Sequence, residues 1–499
     1  MPRVGGCNGG DAHRPRPGAN HIGRCRLQRI AQERKVPEVS ARITRRSFLK
    51  AAGTGALALL AAGCAPAVAP QPTAPPAATQ AVATAIPATQ APAAKKVVTF
   101  ASYSFSTFEE TIKKILAKWQ TKYPNVEVHT EFASWGDFWP KVQTEVAGGT
   151  PPDVSLSDGA RQIEWSAGGI LLPLTEYINK DNYPLDQYPA SCLAWVKWAK
   201  GSFQLGTEGG EIWGLPGDAQ PWDLYYNKTM FDKAGVSYPT DDWTWNDFLS
   251  AAKTMTKAPD QFGCYAPMGC LGRCNLVYSA GGSALSDDQK KSALDSAPTT
   301  EAFKWVWDLI YTHKVAPQPV PSEATDPFAS GRVAMIIDGV WRIQDLAPIT
   351  DFVWDMALQP KHPKTGKFTT SAESDCYWAY KGSKNPDMAW NLLKWLASVE
   401  GETELAAVDF VVPPSITAVA QQWYSRKPPE HRVKALDNIV KDSRISAEIY
   451  YQCATVEGAY FPVLDPAWYE GKDIVTQLKE AANVMNEELA KAWDKFSKL

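Results

Sequence analysis

Histidine is scarce in this chain, six in 499 residues, and the four beyond residue 63 (His129, His313, His362 and His431) are scattered without ligand spacing. That argues against a histidine metal centre and a histidine-driven nucleophile, so no metal or cofactor is expected. The Gly-x-Ser-x-Gly elbow, the Walker loop and the His-Glu-x-x-His pair are all missing, and with them the simplest routes to acyl hydrolysis, nucleotide hydrolysis and zinc proteolysis. A secreted glycan hydrolase stays open, since it needs only two carboxylates about 5 to 10 Å apart and Asp and Glu are plentiful. Long apolar runs are missing too. Ala51 to Gly63 is weakly apolar and too short for a bilayer about 30 Å thick, which takes about 20 residues to cross. No repeat with a period of about 20 to 50 residues is found.

Positive charge is thin over most of the chain. Residues 1–63 hold 12 of the 51 Lys and Arg and 3 of the 54 Asp and Glu, which leaves 39 against 51 and a net charge near −12. Nucleic acid and anionic membrane faces would be repelled. Flat side chains, in contrast, abound: 20 Trp, 18 Tyr and 17 Phe. Most should fill cores, and the remainder are candidates for a ligand surface.

Four segments precede or open the folded part. Residues 1–40 are rich in Arg, Gly and Pro without hydrophobic period, and translation could begin later than Met1. Thr44 to Lys50, with Arg45 and Arg46, resembles a twin-arginine export signal. Leu60 to Cys64 resembles a lipoprotein processing site, with Ala61 where leucine is usual, so Cys64 is the expected lipidated N-terminus. Ala65 to Ala94, almost all Ala, Pro, Thr, Gln and Val, reads as an extended tether. At about 3.1 Å per residue in polyproline form it could reach several tens of ångströms. The expected location is outside the cytoplasm, anchored to a membrane.

From Val97 onward strands and helices alternate. Val97 to Ser102 reads as a buried strand, and Phe108, Ile112, Ile115, Leu116 and Trp119 as a helix face. Val126, Val128, Thr130 and Phe132 alternate as the next strand. Leu224 to Tyr226 is an aromatic strand, followed by a helix from Asn227 to Ala234 that Gly235 closes. Thr244, or Asp242 before it, caps a helix whose Phe248, Leu249 and Ala252 share a face. Val333 to Ile337 and Tyr377 to Tyr380 are further strands, and Ile474, Leu478, Ala481, Met485, Leu489 and Trp493 pattern the closing helix. This alternation implies an α/β protein with parallel or mixed sheets covered by helices.

Several stretches share one further likeness. Trp213 to Pro216, Tyr226 to Lys228, Phe231 to Gly235 and Thr244 to Phe248 follow one another within about forty residues. Gly148 to Val154, Gly169 to Leu174 and Phe328 to Trp341 flank them. In this order they resemble the extracellular solute-binding proteins of carbohydrate ABC importers. The resemblance implies a two-lobed, type II periplasmic-binding-protein-like fold whose discontinuous lobes are joined by about three crossings. Mapped here, lobe one is 96–220 with 372–418 and lobe two is 221–371 with 419–499; 1–63 is the export signal and 64–95 the lipidated tether. It implies no enzymatic activity, a monomer, a sugar or oligosaccharide ligand, and a permease with its ATPase as partners. A binding protein for another small solute, such as a polyamine, metal or anion, is the alternative.

A sugar asks for flat rings against its C–H faces and planar hydrogen-bonding groups for its hydroxyls, placed beyond strand ends. Trp341 follows a strand and Gly339, where the resembled family places a stacking aromatic; packing is its other reading. Arg342 could fork two hydroxyls or pair with Asp338. Asp158 ends a strand and could hold a hydroxyl or cap a helix. Asp218, Gln220 and Trp222 lie at the first crossing, Trp135 in the loop after the second strand, and Asp375, Tyr377 and Trp378 at the second crossing. Beyond Cys7, Cys25 and Cys64, six cysteines remain. Cys264, Cys270 and Cys274 crowd one loop, where a disulfide staple is expected, with a zinc site as rival.

Overall fold

The computed structural model describes residues 95–499 apart from 105–107, 160, 268–269, 321–325, 372, 409–412 and 445–449. Arg45, Arg46, Cys64 and the tether lie outside the described residues, as does the side chain of Cys270.

The folded body opens with β1 (Lys96–Tyr103), α1 (Phe108–Lys122) and β2 (Val126–Ala133). The five apolar residues expected on one face of α1 are all buried, so the helix exists because that stripe covers the sheet. β1 and β2 pair in parallel along their whole length, Lys96 with Val126 to Tyr103 with Ala133. Next come α2 (Trp135–Ala147), capped by Ser134, and β3 (Val154–Asp158), which pairs in parallel with β1 on its other side.

A short hairpin of β4 (Lys197–Trp198) and β5 (Glu211–Ile212) leads into β6 (Gly214–Pro216). The chain then leaves this sheet. β7 (Trp222–Asn227) is buried throughout and is the middle strand of a second sheet, with β8 (Met335–Gly339) and β9 (Trp354–Ala357) antiparallel on its two sides. Between β7 and β8 lie α3 (Lys228–Ala234), α4 (Trp245–Met255) and α5 (Ala297–Tyr311). Asn227 caps α3 through its side-chain oxygen, and Gly235 ends it at φ 65°, the left-handed conformation glycine tolerates best. Of the two candidate caps for α4, Thr244 is the one used, in a reciprocal capping box with Asp247. Asp242 pairs instead with Lys361 at 2.7 Å.

α6 (Arg342–Leu346) follows β8 directly. β10 (Asp375–Ala379) then returns to the first sheet, whose order is β2-β1-β3-β10-β6, with β10 antiparallel to both neighbours. Two sheets thus make two lobes on one chain. α7 (Cys453–Glu470) and α8 (Ile474–Phe496) close the structure and pack on α5: Trp307 Nε1 donates to the Ala467 carbonyl at 3.2 Å and Tyr311 Oη to that of Trp468 at 2.6 Å.

The connections between the sheets run side by side. Residues 217–221 carry the chain from β6 to β7, and 373–374 lead it into β10. Gln220 and Glu373 pair across these segments as an antiparallel bridge. Gly217 N–H donates to the Asp375 carbonyl at 2.8 Å, and Ser374 Oγ to that of Asp218 at 2.7 Å. A third segment joins them, with Ala219 N–H donating to Pro413 O at 3.2 Å and Ser415 Oγ to Pro216 O at 3.1 Å. Adjacent segments of backbone held by such bonds can twist together, which is how a hinge behaves.

Two strands differ from their sequence reading. The one expected at Tyr377 to Tyr380 begins two residues earlier, at Asp375, and the one expected at Val333 to Ile337 runs Met335–Gly339. Both shifts bring polar residues, Asp375 and Asp338, into the ladders. Apolar patterning locates the middle of a strand, whereas pairing partners fix its ends. Cys264 is a buried free thiol 3.8 Å from the Val315 carbonyl, so the expected loop staple is not made through it. No helix among the described residues is long and apolar enough to cross a membrane.

Candidate functional site

Strand register assembles the first half of the site. Asp375, at the start of β10, lies directly opposite Asp158, at the end of β3. Like charges face to face across a strand pair are unfavourable, so this is not an arrangement that stability alone would select. Tyr103, at the end of β1, hydrogen-bonds the Asp375 side chain. Burial pushes the Asp375 carboxyl up to about 7, with the Asp158 charge adding to the rise and the Tyr103 and Gln220 contacts opposing it. Trp135, the first residue of α2, donates its indole N–H to Asp158 Oδ2 at 3.2 Å and leaves its ring 58% exposed.

The crossings supply the middle. Asp218 is 1% exposed, and its two oxygens accept from Asp375 N–H at 2.8 Å and from Gln220 Nε2 at 2.9 Å. Its carboxylate therefore ties one crossing to the other. Burial, reinforced by the Asp375 charge, raises its pKa well above the ordinary value. Glu373 accepts from Trp222 Nε1 at 2.7 Å. Burial pushes it up to about 8; the Trp222 bond opposes this, while Asp375, Asp158 and Asp338 contribute to it. Carboxyl groups from both halves, Asp158 and Asp375 from one and Asp338 from the other, thus act on Glu373.

The second half is aromatic. Trp222 begins β7 opposite Gly339 at the end of β8. A Cβ on Gly339 would lie 2.1 Å from the Trp341 ring, so glycine is there to let the indole fold back onto its own strand. Gly339 has no positive φ; room for the ring is what the residue provides. Trp341 and Trp222 meet edge to face, centroids 5.2 Å apart at 89°, the favoured geometry for an aromatic pair. Arg342 forms ion pairs with Asp326, with Asp338 at 3.1 Å and with Asp345 at 3.2 Å. Its guanidinium is engaged by protein carboxylates, which makes it a support for the Trp341 turn. Burial raises Asp338 to about 6, with Arg342 pulling the other way.

Of the residues singled out by sequence, Trp135, Asp158, Asp218, Gln220, Trp222, Trp341, Arg342 and Asp375 gather around this cleft. Tyr377 and Trp378 do not, because β10 carries them inward: both are 1% exposed, and Trp378 donates to the Ser157 carbonyl at 3.0 Å over the space left by Gly214. They are core residues. Tyr103 and Glu373 were missed. Tyr103 could have been found as the last residue of the first strand; Glu373 sits in a segment with no local pattern to mark it.

Comparison with known proteins bears on the family and the fold. The profile of the bacterial extracellular solute-binding proteins matches residues 105–403. The chain belongs to that family. A Brucella abortus (strain 2308) protein described as a binding protein is 23% identical over 409 residues, covering 79% of this chain and 89% of that one. Among solved structures, this solute-binding protein is similar to the ABC substrate-binding protein of Listeria monocytogenes in complex with cycloalternan. That match has 21% identity and a TM-score of 0.71, covering 79% of this chain and 99% of the other. It is also similar to the sugar-binding protein MalE of Xanthomonas citri, at 16% identity and a TM-score of 0.68, covering 81% and 100%. The fold is thus the two-lobed, type II periplasmic-binding-protein architecture, and the family is one of non-catalytic transport receptors.

Proposed function

We propose that this solute-binding protein captures a sugar or short oligosaccharide between its lobes and delivers it to an ABC permease. The observation that carries the reading is the Trp222–Trp341 pair, braced by Gly339 and the Arg342 cluster beside the hinge. Such a pair offers apolar surface for pyranose C–H groups, and the carboxyl groups of Asp158, Asp375 and Glu373 offer hydrogen-bonding partners for hydroxyls. The cycloalternan complex of the Listeria protein and the sugar-binding role of the Xanthomonas one support the assignment. Closure follows when ligand contacts favour the shut form over the open one, and the permease reads the shut form.

The experiment is a thermal-shift screen of mono- and oligosaccharides against the mature protein. A ligand at 100 times its dissociation constant should add about 2.7 kcal/mol to stability. Stabilisation by polyamines or anions with none from any saccharide would refute the reading. Export by the twin-arginine route and lipidation at Cys64 belong to the same proposal and rest on the motifs around Arg45, Arg46 and Cys64. Labelled palmitate should enter the wild-type chain in cells and not the Cys64→Ala variant.

A further inference from the structure

The cleft is rich in carboxyl groups and poor in cations. Asp158 ends β3, Asp375 begins β10, and Glu373 lies in the segment that leads the chain into β10. Asp218 stands beside them on the first crossing, its oxygens taken by Asp375 N–H and Gln220 Nε2. Among the described residues no lysine or arginine pairs with Asp218, Glu373 or Asp375, and the charges acting on these three are other carboxylates. Arg342, on the aromatic side, is held by Asp326, Asp338 and Asp345. Carboxyl groups gathered without a counter-ion resist ionisation, and a cation arriving from outside relieves that resistance. A neutral hydroxyl does not. The net charge near −12 beyond residue 63 also draws cations towards the protein as a whole.

Two of the carboxyls are each joined to the edge of an indole. Glu373 Oε1 accepts from Trp222 Nε1 at 2.7 Å, and Oε2 makes no hydrogen bond among the described residues. Trp222 in turn meets Trp341 edge to face. In the other half of the site, Asp158 Oδ2 accepts from Trp135 Nε1 at 3.2 Å, and the Trp135 ring is mostly exposed. A bond to the indole edge leaves the faces of the ring uncovered by it. Each pairing therefore sets a negative group beside an aromatic face. Both attract a cation carried on an apolar frame, the carboxylate through a charge-assisted hydrogen bond and the ring through its quadrupole.

We propose that the saccharide selected by this cleft is cationic: an amino sugar whose ammonium group donates to Glu373 Oε2 while its C–H face lies on the Trp222–Trp341 pair. The inference rests on the saccharide reading above and narrows it. On an oligomer, the Trp135–Asp158 pair offers the same combination to a further amino-sugar unit. Since Glu373, raised to about 8, holds its proton in the free protein at pH 6, an ammonium placed beside it favours the ionised form and expels that proton. Asp158, Asp338 and Asp375 act on Glu373 in the opposite sense, and the Trp222 indole acts with the ligand.

Calorimetric titration of the mature protein decides the matter, with diglucosamine and triglucosamine as probes and their N-acetylated counterparts and maltotriose as neutral comparators. The amine forms should bind about tenfold tighter than the acetylated ones, the difference between a charged and a neutral hydrogen bond. At pH 6, where the amine already carries its own proton, titrations in two buffers of different ionisation enthalpy should show net proton release with the amine probes. Glu373→Gln should abolish both the preference and the proton release. Neutral saccharides bound as tightly as the amines, or a preference that survives in Glu373→Gln, overturns the inference and leaves the saccharide reading standing. No binding of either amine probe at millimolar concentration overturns it as well. Binding of spermidine with no saccharide bound overturns both.

Discussion

The two sides of the cleft solve the same problem with opposite chemistry. On the side of the five-stranded sheet, register sets Asp158 against Asp375, and Tyr103 adds a hydroxyl. On the side of the three-stranded sheet, register sets Trp222 against a glycine, and the vacancy is filled by Trp341. The contrast extends to charge. Asp338, with Arg342 at 3.1 Å, rises to about 6, while Asp375, facing another carboxylate, rises to about 7. One side sets carboxyl groups against one another; the other engages its cation, Arg342, with the carboxylates beside Trp341.

The largest expected effect breaks the aromatic side. Trp341→Ala should weaken saccharide binding by about 30-fold or more, the loss typical of a central aromatic anchor, as read by calorimetric titration. Unchanged affinity would remove Trp341 from the site. Gly339→Ala is the sharper version, since its Cβ must displace the ring without deleting it; about 1–3 kcal/mol of stability should go, with a parallel loss of affinity.

On the carboxylate side the expected effect depends on pH. Glu373 binds its proton more tightly folded than unfolded, so its contribution falls as pH rises from the unfolded value, near 4.5, through the folded one, near 8. Glu373→Gln should therefore gain on wild type across that window, by a few kcal/mol at most, in denaturation midpoints measured at pH 5 and pH 8.5. Equal shifts at both would contradict the raised pKa. The smallest effect is at the lip. Trp135→Ala should leave the unfolding midpoint nearly unchanged, because surface substitutions away from packed features usually cost within about 0.5 kcal/mol, yet lower saccharide affinity measurably.

Much of the fold was legible because it is written locally. The buried stripe of α1, the Asn227 and Gly235 ends of α3 and the Thr244 cap of α4 each depend on residues within a turn or two of one another. The site was legible only in part. Asp158 does end its strand as read, whereas Tyr377 and Trp378, read at the second crossing, lie within β10 and are buried. Glu373 had no local signature, since its importance comes from the Gln220 bridge and the Trp222 indole. The room that Gly339 leaves for the Trp341 ring is likewise a tertiary fact.

By itself, the sequence determined the alternation of strands and helices, the caps, the acidic balance and the wealth of indoles, because each follows from short-range periodicity or from counting. The tertiary structure alone decided which carboxylates stand face to face, which rings are spent on packing, and that Phe203 of the β4–β5 hairpin stacks on Trp493 of α8. Those outcomes depend on strand register and on contacts between segments far apart in the chain, where a shift of one residue turns every side chain to the opposite face.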